Sequence, residues 1–254
     1  MATRHWRLYL IGTIGAAVIA AAFFIDPIPQ DPAYHAFADR GRMLGIQNFW
    51  NVVTNLPFLV AGIIGLLRLP HLAEAALRAH YIVFCTGVAL VGFGSAYYHC
   101  DPSTPALVWD RLPMTIAFMA LFAAVLSDRV SQTLGRALLW PLVALGIASI
   151  GWWTHTELAG RGDLRPYAIV QFLPMLLVPL ILLLSKSGGL DTAFLWKSLA
   201  AYGAAKLAEH LDPVILDATG VFSGHSLKHL LAALGAWWAI RAFRASQKSP
   251  ARAL

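Results

Sequence analysis

Residues 79–99 read Ala-His-Tyr-Ile-Val-Phe-Cys-Thr-Gly-Val-Ala-Leu-Val-Gly-Phe-Gly-Ser-Ala-Tyr-Tyr-His, with no Asp, Glu, Lys or Arg among them. An α-helix rises about 1.5 Å per residue, so about 20 apolar residues cross roughly 30 Å of hydrocarbon. The segment reads as a transmembrane helix whose last turns, from Ser95 to His99, carry polar groups. Over its 254 residues the chain is 58% hydrophobic and 13% charged, against roughly 25% charged residues in an ordinary soluble domain. Its mean hydropathy is +0.64. These values disfavour a soluble fold. Helices satisfy their own backbone hydrogen bonds in lipid, so the expected class is an all-α, polytopic membrane helical bundle and not a barrel.

Reading hydropathy outward from this segment gives eight spans: Leu8–Ile25, Phe49–Leu67, Ala79–His99, Ala106–Leu126, Leu134–Trp153, Tyr167–Leu184, Ala193–His210 and His225–Phe243. Connections are short, with no low-complexity run or convincing repeat, so residues 1–254 read as one membrane domain. Lys and Arg set its orientation. With the N-terminus in the cytoplasm, twelve basic residues, from Arg4 and Arg7 to Lys248 and Arg252, fall on the cytoplasmic side, and Arg40, Arg42, Arg161 and Arg165 fall outside. Both termini are therefore expected in the cytoplasm. The first span has a competing reading as a cleaved signal, because Arg4 and Arg7 precede an apolar stretch and Ala20-Ala21-Ala22 resembles a small-residue cleavage site. The net charge of +6 does not imply nucleic acid, since the basic residues are scattered among loops. Cys85 and Cys100 lie along one helix, too close in sequence to pair readily, and suggest no disulfide framework.

Ionisable groups at membrane depth are costly and call for a reason. Ser95 and His99 close the third span, Trp109-Asp110-Arg111-Leu112-Pro113-Met114 opens the fourth, Lys206, Glu209 and His210 end the seventh, and Ser223-Gly224-His225-Ser226-Leu227-Lys228-His229 opens the eighth. In the orientation above all four places lie at the outer face. His225 and His229 are four residues apart, so both imidazoles project from one helix face. With His99 they offer three neutral nitrogen donors. Catalytic zinc commonly takes three protein ligands and keeps a fourth position for water, which loses a proton near neutral pH. Asp110 is then suited to moving that proton, and Ser95 to donating a hydrogen bond to an oxyanion.

Each residue also has a purely structural reading. Histidines at span ends anchor at headgroups. Ser95, beside Gly92 and Gly94, bonds to a carbonyl one turn back or marks close helix packing. Asp110 caps its helix or pairs with Arg111. Lys206 and Glu209, three apart, form an ion pair. His210 shares the depth of the cluster and stands in reserve as a ligand.

The ordered set Ser95-x-x-x-His99, Asp110-x-Leu112-Pro113-Met114 and His225-x-x-x-His229 resembles the alkaline ceramidase family. It also resembles the wider CREST superfamily of membrane hydrolases, which includes the adiponectin-receptor-like proteins. Asn48-Phe49-Trp50-Asn51 with Thr54 and Asn55 is similar to the segment that opens the first core helix of alkaline ceramidases, so the resemblance runs from about residue 45 to residue 243. It implies a seven-helix core, preceded here by one N-terminal span. It further implies one zinc held by His99, His225 and His229, with Ser95 and Asp110 beside it, and hydrolysis of the ceramide amide to a sphingoid base and a fatty acid. Two departures weigh against calcium: the loop reads Asp31-Pro32-Ala33-Tyr34-His35, and Asn48 stands where eukaryotic relatives have Glu. The short loops and the compact residues 223–229 resemble bacterial members, which implies an inner-membrane enzyme with its site near the periplasmic face and ceramide or another N-acyl lipid as substrate. Two rival readings stay open: a membrane receptor or binding protein with a structural zinc, and a transporter that uses Lys206, Glu209 and Asp110 as a proton relay.

Overall fold

The computed structural model describes residues 5–186 and 188–244; Arg4, Lys248 and Arg252, counted above toward the orientation, lie outside them. The described chain is helical: α1 (His5–Ala22), α2 (Phe49–Val53), α3 (Leu56–Leu67), α4 (Arg78–Cys100), α5 (Thr104–Arg129), α6 (Gln132–Leu158), α7 (Arg165–Leu184), α8 (Thr192–His210), α9 (Asp212–Thr219) and α10 (Gly224–Ala242). The expected all-α helical bundle is the fold observed.

Among the described residues, five segments are long and apolar enough to cross a membrane: Phe49–Leu67, Ala75–Cys100, Thr104–Arg129, Gln132–Leu158 and Arg165–Leu184. The other three expected spans are less apolar or shorter. Within α1 only Tyr9–Ala22 forms an apolar helix, shorter than a full crossing. Helices α8 and α10 each have 19 residues, but Lys197, Lys206 and Glu209 on one and His225, Lys228, His229 and Arg241 on the other lower their hydropathy. In α10 two of these groups, His225 and His229, are buried, so that helix spends its polarity on the interior.

Sequential antiparallel pairing carries much of the packing. Helices α4, α5 and α6 are successive neighbours, α10 lies between α8 and α3, α7 rests on α5 and α6, and α1 packs outside α7. Phe84, Val88, Leu139, Ile181, Leu195 and Ile240 are among the core residues that fill the centre. The expected second span is broken. The Asn55 amide bonds the Val52 carbonyl (3.2 Å) while Asn55 Nδ2 takes the Asn51 carbonyl (2.7 Å) that a continuous helix would use, and Thr54 Oγ1 donates to the Trp50 carbonyl (2.6 Å) beside the Thr54 amide. Pro57 follows, with no N–H to continue the ladder. The resulting break between α2 and α3 turns polar side chains toward the bundle axis.

Two local features set the end of the bundle where the polar residues gather. Helices α4 and α5 touch backbone to backbone at Gly94, where an added methyl would overlap the Trp109 carbonyl oxygen. Between α6 and α7, Asp163 accepts from Arg165 Nε (2.8 Å), Arg165 Nη2 (2.9 Å) and Trp152 Nε1 (3.1 Å), while Arg165 Nη1 donates to the Ile25 carbonyl and so ties the end of the α1 segment to this corner.

Gly94→Ala is expected to push α4 and α5 apart and cost about 1–3 kcal/mol, read as a lowered thermal midpoint in detergent. The hydrogen bonds from Arg165 lower the Asp163 pKa to about 2. A depressed carboxyl stabilises the fold above its unfolded value of about 3.9, and that contribution disappears as pH falls through the folded value. Asp163→Asn should therefore lower the midpoint at neutral pH and flatten its decline below about pH 4, measured by thermal unfolding across a pH series.

Candidate metal centre

His99 stands in the last turn of α4, and His225 and His229 in the first two turns of α10. All three are buried, at 1%, 5% and 3% exposure. Their ligating atoms lie within 4.8 Å of one another, and the ring centroids are 4.8 to 4.9 Å apart. Nε2 of His99 and Nε2 of His225 are separated by 3.3 Å. A tetrahedral zinc with Zn–N bonds of about 2.0–2.1 Å requires nitrogens about 3.3–3.4 Å apart, so this pair already spans one edge of such a site. Nδ1 of His99 is buried with no hydrogen-bond partner.

The first turn of α10 is fixed from several directions. Ser223 caps it by accepting from the Ser226 amide (3.2 Å), and Gly224 lets it approach the Ala208 carbonyl of α8. Asp212, at the start of α9, accepts from the His225 amide through Oδ1 (2.7 Å) and from the Ala38 amide through Oδ2 (2.9 Å). The α2–α3 break supplies the rest. Thr54 Oγ1 lies 3.0 Å from Nδ1 of His229. Because the Thr54 proton is given to Trp50, the hydroxyl oxygen is an acceptor here, which assigns the hydrogen to Nδ1 of His229 and leaves its Nε2 lone pair free for a metal. Asn48 donates to the His99 carbonyl (2.9 Å), and Ser226 to Asn51 Oδ1 (2.7 Å).

Ser95 of α4 and Asp110 of α5 are both buried. With His229 they line one end of a cavity of about 400 Å³ whose remaining walls include Phe84, Val88, Phe118 and Leu195. Over the histidines, Phe37 from the loop before α2 packs its ring 4.7 Å from His99 and 4.4 Å from His225. Neither Phe37 nor Asp212 stood out in the sequence. Phe37 sits in a loop with no motif, and Asp212 reads as an ordinary acidic residue at a helix start.

Other expectations are modified. His210 is exposed, and the group of close ligand atoms among the described residues contains only His99, His225 and His229. Glu209 does pair with Lys206 (2.7 Å), and Lys228 of α10 binds its other oxygen (2.8 Å), giving a triad across two helices. Asp110 lies in the second turn of α5, whose cap is Ser103, and none of the ion pairs among the described residues joins it to Arg111. His35, in the loop above, bonds Tyr98 (2.8 Å) and Thr104 (3.1 Å); burial and the charge of Arg111 lower its pKa and keep its ring neutral.

Thr54→Val removes the acceptor for Nδ1 of His229 while keeping the side chain's shape. It is expected to weaken the affinity of the cluster for a divalent metal about 10- to 100-fold, measured by competition with a chromogenic chelator.

A family model for ceramidases matches residues 45–185, more than half of the chain, running through Ser95, His99 and Asp110 and ending before His225. No curated protein matches the sequence. The matched region carries the α4 and α5 side of the histidine cluster, and the chain belongs to the ceramidase family.

Proposed function

We propose that this chain is a zinc-dependent lipid amidase that cleaves the amide of ceramide or a related N-acyl lipid to a free amine and a fatty acid. Membership of the family supports hydrolysis of a ceramide-type amide. The observation that carries the metal is the buried convergence of His99, His225 and His229, with two Nε2 atoms 3.3 Å apart. Three neutral imidazoles suit zinc better than calcium, a hard cation that favours oxygen ligands. When bound, zinc supplies a Lewis acid that polarises a carbonyl and makes water nucleophilic near neutral pH.

The chain's own residues then divide the work. The apolar walls below Ser95 and Asp110 receive hydrocarbon and bring the amide to the polar end of the cavity. The Asp110 carboxylate takes the proton from the attacking water and returns it to the amide nitrogen as the C–N bond breaks, so the amine leaves neutral. The Ser95 hydroxyl donates to the carbonyl oxygen as negative charge builds there. Phe37 limits contact of the histidines with the loop side. Both termini lie in the cytoplasm, and the site faces the outer side of the membrane, in accord with the distribution of Lys and Arg.

The relay reading loses its main support, because Glu209 is held between two lysines and its charge is already balanced.

His225→Ala should lose both zinc and activity. Ser95→Ala should retain zinc with kcat reduced about 10²–10³-fold, and Asp110→Asn should retain zinc with kcat reduced about 10²–10⁴-fold. Metal analysis of the purified variants together with mass spectrometry of the lipid products checks all three, and full activity in metal-free protein would refute the proposal.

A further inference from the structure

Arg111 follows Asp110 on α5 and lines the same cavity, yet the mechanism above gives it nothing to do. It is only 6% exposed. One terminal nitrogen, Nη1, is buried with no hydrogen-bond partner, and none of the ion pairs among the described residues includes it. The guanidinium is instead enclosed by three aromatic rings: its central carbon lies 5.3 Å from the Tyr34 ring centre, 4.6 Å from Trp153 and 4.9 Å from Tyr167. Trp153 is fully buried and donates to Glu157 (3.1 Å), so the enclosure is anchored.

Aromatic faces stabilise a cation through their quadrupole, but they offer nothing to the in-plane N–H groups. Guanidinium carries five such donors in a fixed fork that matches the oxygens of a carboxylate or phosphate. An unmet donor at this depth is costly unless a ligand supplies the acceptor. The charges lining the cavity lean the same way. Glu209 is shared by Lys206 and Lys228, and Arg111 adds a further positive charge beside Asp110. Position matters as well. Tyr34 and the start of α7 form the wall at the loop end, remote from the deep apolar residues Phe84 and Ala239, so Arg111 stands where the polar head of a lipid would lie while its tail runs inward.

We propose that Arg111 is a specificity residue that binds an oxyanion at the head end of the cavity, so that preferred substrates are N-acyl lipids carrying a phosphate or carboxylate near the amide. The inference rests on the amidase reading of the adjacent site for its link to turnover, and on Arg111 alone for binding. Two sources share this chemistry: an anionic headgroup on the substrate and the carboxylate of the released fatty acid.

The test uses the full chain with zinc in phosphatidylcholine nanodiscs. The probes are N-palmitoyl sphingosine, its 1-phosphate, and palmitate. Equilibrium binding and kcat/KM are measured for the wild type, Arg111→Gln and Arg111→Lys. For a headgroup site, the 1-phosphate should bind and turn over at least about tenfold better than the neutral lipid. Arg111→Gln should erase that ratio mainly through KM, and Arg111→Lys should restore part of it, since an ammonium keeps the charge without the fork. Palmitate inhibition relieved by Arg111→Gln, with equal handling of the two sphingolipids, would assign the oxyanion to the product. A purely structural Arg111 would instead lower both substrates alike and leave palmitate binding untouched, which overturns the proposal. Arg111-dependent binding of the 1-phosphate without cleavage of either lipid would retain the oxyanion site and reject the amidase; cleavage of neutral ceramide with no selectivity and no palmitate effect would do the reverse.

Discussion

Burying three imidazoles against one another at the end of a hydrophobic bundle is unfavourable unless their nitrogens find a shared partner, and much of the nearby structure serves to keep them together. Polar groups taken from water need compensation, yet Nδ1 of His99 has no protein partner and its Nε2 faces another imidazole nitrogen. The surrounding bonds are directed at holding this arrangement. Thr54 orients one ring, Asn48 anchors the carbonyl of the residue bearing another, and Asp212 fixes the amide of the third. In metal sites such outer contacts set the orientation and basicity of the ring nitrogens, and these three rings could hold an ion in the same way.

The helix break between α2 and α3 shows how an apparent defect contributes to this preparation. In a continuous helix over residues 49–67 the Asn55 amide would take the Asn51 carbonyl, which its side chain holds instead. By donating its hydroxyl proton to the Trp50 carbonyl, Thr54 becomes an acceptor toward His229. Membrane helices tolerate such breaks when neighbouring side chains satisfy the freed groups, and here Asn55 Nδ2 takes the freed Asn51 carbonyl.

Much of the fold was legible because the long uncharged runs over α4 to α7 have the length of a membrane crossing, a signal that depends on little else. Helices α8 and α10 were found by length against a weaker hydropathy signal, since their polar groups serve the interior and the neighbouring helix. The meeting of His99 with His225 and His229 was legible from i, i+4 spacing and shared depth; the family match ends at residue 185, so the α10 partners rest on geometry. Long-range partners were not legible. Nothing local marks Lys228 as the second cation on Glu209, or Phe37 as the ring lying over two histidines. Arg111 illustrates the same limit: sequence proximity suggested Asp110 as its partner, whereas the backbone turn sends it toward rings from the loop before α2, from α6 and from α7.

The two oxygens of Asp212 grip different pieces of the molecule, one the backbone that presents His225 and the other the segment adjoining Phe37. The Phe37 loop and the His225 end of α10 are thereby mechanically linked. Any excursion that lifted the Phe37 ring would tug on the helix end bearing His225, so movement of that loop would disturb the arrangement of the three imidazoles. On the proposed amidase reading, a lipid that enters through the apolar cavity on the opposite flank avoids that disturbance.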